Sequence, residues 1–315
     1  MTGKIAFIFP GQGAQSVGMG KDLYDNYAEA KAVFDTADRV LDKKISTICF
    51  EGPEEDLKQT INTQPAIVTT SLAALAVLQA KTGINPDYTA GHSLGEYCAM
   101  KTSGVLSLED TIHLISKRAE AMSKIKGGSM AAILNLEESK FLECLKEAQK
   151  TGYVAVANYN SPSQIVITGE DEAVKKASEL MSAAGARRVV PLAVSGAFHS
   201  EMMKGASEEF KHTVDKITPN NAEIPVITNV DAEITTNGAD FKIKMPKQIY
   251  SSVHWTQTIQ KMVKEGVDTF VEIGPGKVLA GLNKKIAPET TVYNVFDKDS
   301  LENTVEALKG TCLVK

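Results

Sequence analysis

Cysteine is sparse and unpatterned in this chain: Cys49, Cys98, Cys144 and Cys312 stand singly among 315 residues. No Cys-x-x-Cys pair and no histidine at ligand spacing accompanies them, so neither a zinc site nor a disulfide framework is indicated, and small core or surface thiols are expected. Positive charge is not in excess either. A net charge of −5 argues against a general nucleic-acid binder, which needs a basic surface to neutralise phosphates. The opening apolar run, Ile5-Ala6-Phe7-Ile8-Phe9, stops at Pro10 and is too short for a signal-peptide core, so it reads as a buried first strand. A cytoplasmic protein with no membrane partner is expected. Internal repeats, linkers and low-complexity segments are lacking. Gly11-x-Gly13 lacks the third glycine and the distal acid of a dinucleotide fingerprint, and Gly274-Pro275-Gly276-Lys277 lacks the spacing of a phosphate-binding loop. What remains is an ordinary globular composition, 43% hydrophobic and 23% charged. The length accommodates one large α/β domain, or one domain carrying a smaller insertion.

The densest local signal is Gly91-His92-Ser93-Leu94-Gly95. Ahead of it Asp87-Tyr88-Thr89-Ala90 reads as extended after the breakers Gly83 and Pro86, and behind it Glu96 to Met100 reads as helix. A serine at a sharp strand-to-helix turn is held in strained geometry, and its flanking positions must be small enough for strand and helix nearly to touch. The turn lifts the hydroxyl clear of the sheet, over the first free N–H groups of the helix, where negative charge is stabilised. The loop Pro10-Gly11-Gln12-Gly13-Ala14-Gln15 after the first strand has two readings: a tight connection, or a second N–H donor aimed at an oxyanion.

Helical periodicity runs from Met19 to Leu41 and from Pro65 to Lys81. Ser107 reads as an N-cap, with Asp110 three positions on. On the wheel that follows, Ile112, Leu114, Ile115, Ala119 and Met122 form an apolar arc, and Arg118 falls inside it. A buried arginine needs an anion. Either an acid elsewhere in the chain supplies a structural ion pair, or the guanidinium is a fork for a substrate carboxylate. After Gly128 the order becomes strand, helix, strand, strand, helix, strand, with Asn160-Ser161-Pro162 as the hairpin turn. This predicts a ferredoxin-like subdomain over 128–194, inserted into a catalytic domain made of 1–127 and 195–315. His199, in Ser195-Gly196-Ala197-Phe198-His199-Ser200, stands where the chain re-enters the main domain, well placed to overlook a cleft. Beyond it a helix over Glu201–Val214, a strand over Ile224–Val230, a helix from Trp255 to Lys264, a strand over Asp268–Ile273 and a helix over Ser300–Leu308 are expected.

Six segments occur in order and at matching separations: Pro10 to Gln15, Gly91 to Glu96, Arg118, Ala157-Asn158-Tyr159-Asn160-Ser161-Pro162, Gly196-Ala197-Phe198-His199 and Glu272-Ile273-Gly274-Pro275-Gly276. Over nearly the whole chain this resembles the malonyl-CoA:acyl-carrier-protein transacylases. The resemblance implies an α/β fold, an α/β-hydrolase-like parallel-sheet domain with an inserted ferredoxin-like subdomain. It implies Ser93 as nucleophile, His199 as base, the backbone N–H groups of Gln12 and Leu94 as oxyanion hole, Arg118 as binder of the malonyl carboxylate and Asn160 in support. It also implies that the backbone carbonyl before the tryptophan orients the catalytic histidine. The family often has glutamine there and this chain has His254. Ala197-Phe198-His199 looks like the malonyl-selecting version of its motif. The implied substrates are malonyl-CoA and the phosphopantetheine thiol of acyl carrier protein, in fatty acid biosynthesis. No metal, bound cofactor or nucleic acid is implied, and a monomer is expected. Because acyl carrier proteins are acidic, Arg187, Arg188, Lys204, Lys284 and Lys285 are candidates for a basic docking rim. Rival readings are a thioesterase or esterase on the same elbow and a non-catalytic acyl-binding module.

Overall fold

A computed structural model describes residues 3–194 and 196–309; Ser195 and Cys312 lie outside the described residues. Among the described residues ten strands form two sheets. In chain order they are β1 (Lys4–Phe9), β2 (Tyr88–Gly91), β3 (Ser129–Leu134), β4 (Val154–Ser161), β5 (Gln164–Gly169), β6 (Arg188–Pro191), β7 (Val226–Ile227), β8 (Ile234–Thr235), β9 (Val267–Ile273) and β10 (Thr291–Val295).

The larger sheet has the order β10-β9-β1-β2-β7-β8 and is parallel except for the β7–β8 pair. Its centre explains the unbroken apolar run at the start of the chain. Strand residues alternate between faces, and a parallel sheet is covered on both. Ile5, Phe7 and Phe9 enter one apolar cluster, while Ala6 and Ile8 enter a second on the opposite face. The helix Thr60–Thr82 is long and apolar enough to cross a membrane, but 89% of its apolar stretch is buried inside the fold. It packs between the helices Ala28–Leu41 and Leu108–Lys124.

The smaller sheet is antiparallel, with the order β4-β5-β3-β6. This is the strand arrangement expected of a ferredoxin-like unit. The helices Glu138–Ala148 and Asp171–Ala183 cover one face, where Ala131, Ile133, Val154 and Ile167 meet Phe141, Val174 and Met181. Met130, Ala132, Ala157 and Val166 join the main core instead. The small sheet is therefore apolar on both faces, and its second face is what docks it.

Several elements differ from the sequence reading. The helix expected over Met19–Leu41 is two, Lys21–Asn26 and Ala28–Leu41, broken where Tyr27 turns extended at φ −133°. Pro65 lies inside the long helix rather than at its start, because the helix begins at Thr60. The carbonyl that loses its N–H partner there is that of Ile61, a residue 39% exposed. The strand expected over Ile224–Val230 contracts to β7, Val226–Ile227, at the edge region of the sheet. β4 continues to Ser161, paired with Gln164, so the hairpin turn is Pro162-Ser163 and Asn160 remains in the strand. Three helices were not foreseen: Ile45–Glu51, Glu54–Lys58 and Gly238–Gln248, the last with Pro246 inside it.

Candidate active site

The elbow is built at the carboxyl ends of β1 and β2. Ser93 has φ +51°, in the left-handed region that costs an L-residue roughly 1–3 kcal/mol. Its neighbours show why glycine is required on both sides. A Cβ on Gly91 would sit 1.9 Å from the carbonyl carbon of Gly95, and one on Gly95 would sit 2.3 Å from the Phe9 carbonyl oxygen. Asn229, beyond the end of β7, clamps the turn. Its Nδ2 donates to the Gly91 carbonyl at 2.7 Å and its Oδ1 accepts the Ser93 N–H at 2.7 Å. The strained peptide is thus held from both flanks.

Ser93 Oγ lies 2.8 Å from His199 Nε2. His199 also has a positive φ of 57° and is 5% exposed. Its Nδ1 is 3.0 Å from the Gln248 carbonyl and 3.1 Å from the Ser251 carbonyl. Two acceptors at Nδ1 require the proton there, which leaves the Nε2 lone pair facing the serine. No carboxylate bonds the ring among the described residues, so backbone carbonyls take the place of a triad acid. Burial, reinforced by the charges of Arg118 and His92, pushes the His199 pKa down to about 3 and keeps the ring neutral.

The carbonyl of His254 does not reach His199. It accepts the Thr258 N–H at 2.9 Å, the first turn of the helix Trp255–Lys264, and the imidazole stacks on Tyr159 with centroids 5.2 Å apart. The orienting carbonyls come instead from Gln248 and Ser251, a few residues earlier. Asn160 does stand beside the elbow: its Oδ1 is 2.8 Å from His92 Nε2.

Arg118 is fully buried on the helix Leu108–Lys124, whose N-cap is Ser107 as expected, accepting the Asp110 N–H. The guanidinium donates from Nη1 to Gln64 Oε1 at 2.7 Å, and from Nη2 to Gln248 Oε1 at 3.0 Å and to Ser93 Oγ at 3.1 Å. Among the described residues no carboxylate lies within ion-pair reach, and Nε has no hydrogen-bond partner. Burial pushes its pKa down, opposed by Tyr97 and Glu96. The intrachain ion pair is therefore absent. The guanidinium's neighbours are instead two neutral amides, an alcohol and the ring of Tyr97, 5.8 Å from its carbon, so its charge is left without a hydrogen-bonded counter-ion.

A cavity of about 270 Å³ opens over Ser93 and His199, lined also by Gln12, Gln64 and His92 and, from the side of the smaller sheet, by Met130 and Leu192; Arg118 lies behind this wall and meets it through Ser93 Oγ and Gln64. The N–H groups of Gln12 and Leu94 carry no hydrogen bond among the described residues, so both are free to donate. Arg187, Arg188, Lys204, Lys284 and Lys285 are absent from its wall, where Lys58 is the cation present. Three polar residues escaped the sequence reading: Gln64, Asn229 and Gln248. The available signal was a polar residue inside an apolar stretch, as at Gln64, which becomes informative only once its neighbours are known.

Residues 6–304 match the profile of the acyl transferase domain family. The malonyl CoA-acyl carrier protein transacylase of Bacillus subtilis (strain 168) is 46% identical over 310 residues, 97% of this chain and 98% of that protein. The acyl carrier protein S-malonyltransferase from Vibrio cholerae superposes with a TM-score of 0.92 at 39% identity, over 96% of this chain and 99% of that one. A malonyl-transacylase solved in complex with its type II polyketide synthase acyl-carrier protein superposes with a TM-score of 0.93 at 36% identity, over 96% of this chain and 99% of that one. With the elbow serine facing a carbonyl-oriented histidine and touched from behind by a buried arginine, this chain belongs to the acyl transferase domain family, among the malonyl CoA-acyl carrier protein transacylases.

Proposed function

We propose that the protein moves a malonyl group from malonyl-CoA to the phosphopantetheine thiol of acyl carrier protein, supplying extender units for fatty acid biosynthesis. The observation that carries this reading is the shared contact of Ser93 Oγ with His199 Nε2 and Arg118 Nη2. His199 Nε2 takes the hydroxyl proton as Oγ attacks the thioester carbon, and the N–H groups of Gln12 and Leu94 receive the oxyanion. The C–S bond then breaks, and His199 returns the proton to the leaving sulfur of coenzyme A. A malonyl-Ser93 ester remains. The carrier thiol gives its proton to His199 and attacks that ester; the C–O bond breaks and Ser93 regains its proton. Arg118 Nη2 already touches Oγ, so a short diacid esterified there can fold its free carboxylate back onto the guanidinium. The solved complex of a related transacylase with an acyl-carrier protein supports the acceptor, and the names of the relatives support the donor.

Mass spectrometry after mixing with malonyl-CoA tests the intermediate. The expected result is one malonyl adduct, on Ser93, discharged by holo acyl carrier protein faster than by water. Discharge to water at an unchanged rate with carrier present would make the protein a thioesterase, and no adduct would make it a binder.

A further inference from the structure

Glu96 sits directly behind the elbow, on the first turn of the helix Gly95–Thr102, and the transfer as described does not use it. Its side chain is almost fully buried, at 1% exposure. Oε2 accepts the backbone N–H of Asn229, the residue whose amide clamps the Ser93 turn. Asn229 Oδ1 also receives a longer bond, 3.4 Å, from Gln248 Nε2. Gln248 in turn donates to the Ser93 carbonyl at 3.0 Å, accepts from Arg118 Nη2 and offers its own carbonyl to His199 Nδ1. One carboxyl therefore stands at the root of a hydrogen-bonded chain that ends on nucleophile, base and anion site.

We propose that Glu96 is a positioning residue for the acyl transfer: by locking the Asn229 segment, its carboxylate holds the Ser93 turn and the Gln248 amide in register with Arg118 and His199. The inference rests on the roles proposed for those three residues. An ionised acceptor makes a hydrogen bond about twice as strong as a neutral one, so the lock is tight with Glu96 charged and loose with it protonated. The charged and titratable groups around it are Arg118 from the helix Leu108–Lys124, Lys244 from the helix Gly238–Gln248 and Tyr97 beside it. Lys244 is engaged with Asp231 at 2.8 Å. Burial outweighs the lowering by Asn229, Gln248, Arg118 and Lys244 and pushes Glu96 up to about 7. His199 stays neutral above about 3. An acid limb near neutrality thus belongs to the lock rather than to the base. Glu272 is also pushed up to about 7, but its partners are the N–H groups of Leu279 and Ala280 and the Asn294 amide, outside the site, so only a change at Glu96 assigns the limb.

The test follows malonylation of Ser93 by malonyl-CoA in rapid-quench experiments across about pH 5.5 to 8.5. Wild type is expected to slow by about tenfold on the acid side, with its midpoint near 7. Glu96→Gln is expected to be flat and about tenfold slower at the alkaline end, in kcat as well as kcat/KM. A limb that survives unchanged in Glu96→Gln, or a flat wild-type profile, overturns the proposal. If that variant does not fold, Glu96→Asp decides: a moved midpoint supports the proposal and an unmoved one overturns it. Absence of acyl-Ser93 at every pH would strike the proposed function instead.

Discussion

A fully buried guanidinium is expensive unless something charged answers it, and among the described residues Arg118 hydrogen-bonds to Gln64, Gln248 and Ser93 Oγ, with Glu96 acting on it through space but in no ion pair with it. On the proposed function, a malonyl carboxylate would complete the site in a way an acetyl group would not. Replacing Arg118 by Ala should lower kcat/KM for malonyl transfer by roughly 30- to 100-fold, the worth of a buried charge-assisted pair, and change acetyl transfer far less. Steady-state assays with the two thioesters check this, and equal losses would refute the assignment. His199 yields a second expectation, with a definite sign. Its pKa is about 3 when folded, against 6.5 for the free side chain. Between those values the unfolded chain binds a proton that the native ring refuses, so the His199 contribution to stability falls as pH drops from about 6.5 toward 3 and is constant above, while Glu96 and Glu272, raised to about 7, contribute in the opposite sense. In urea titrations at pH 7.5 and 5, the change in stability over the step should be less favourable for wild type than for His199→Gln, in which the two carboxyls remain and the imidazole is gone. At this scale Ser93, His199 and Arg118 were legible because each stands in a local pattern: an elbow, a domain crossing, an apolar arc. Gln248 was not, since its importance lies wholly in what it touches.

Ser93 and His199 stand in turns, whereas Arg118 is delivered by a helix whose N-terminus is capped far from the chemistry. Ser107 caps the helix that carries Arg118, accepting the Asp110 N–H at 3.0 Å. Ser107→Ala should cost about 1 kcal/mol of stability and leave kcat unchanged, because Arg118 lies deep in a helix of 17 residues and a frayed first turn does not reach it. Thermal melting and a steady-state assay on one sample check both halves. Element reading succeeded where periodicity and breakers agreed, as in the six elements between Ser129 and Pro191. It failed at Gly238–Gln248, where Pro246 argues against helix, yet the helix forms and places the Gln248 carbonyl on His199. Packing against the helix Lys204–Val214 outweighs the proline there.

The whole molecule is two sheets that meet over one cavity. We propose 128–194 as an inserted subdomain, with 1–127 and 195–315 forming the catalytic domain. The small unit carries its own cluster around Phe141, Ile167 and Met181, but Met130, Ala132, Ala157 and Val166 join the main core. Residues 128–194 expressed alone should therefore fold marginally, with a lower urea midpoint than the intact protein and a tendency to self-associate through the bared face. Circular dichroism and sedimentation check this; a monomer as stable as the whole would show that docking contributes little.

The amino-acid sequence by itself determined the chemistry available and the order of most elements, because glycine spacing at the elbow, an arginine in an apolar arc and alternating periodicities are local properties of the chain. Tertiary structure alone decided which neutral groups surround that chemistry. Gln64, Asn229, Gln248 and the Ser251 carbonyl arrive from segments remote from Ser93, and none announces its partner. The carbonyl assigned to His254 shows the same division: every residue but proline has the same backbone groups, so only the path of the chain could say that Gln248 and Ser251, rather than His254, face the histidine.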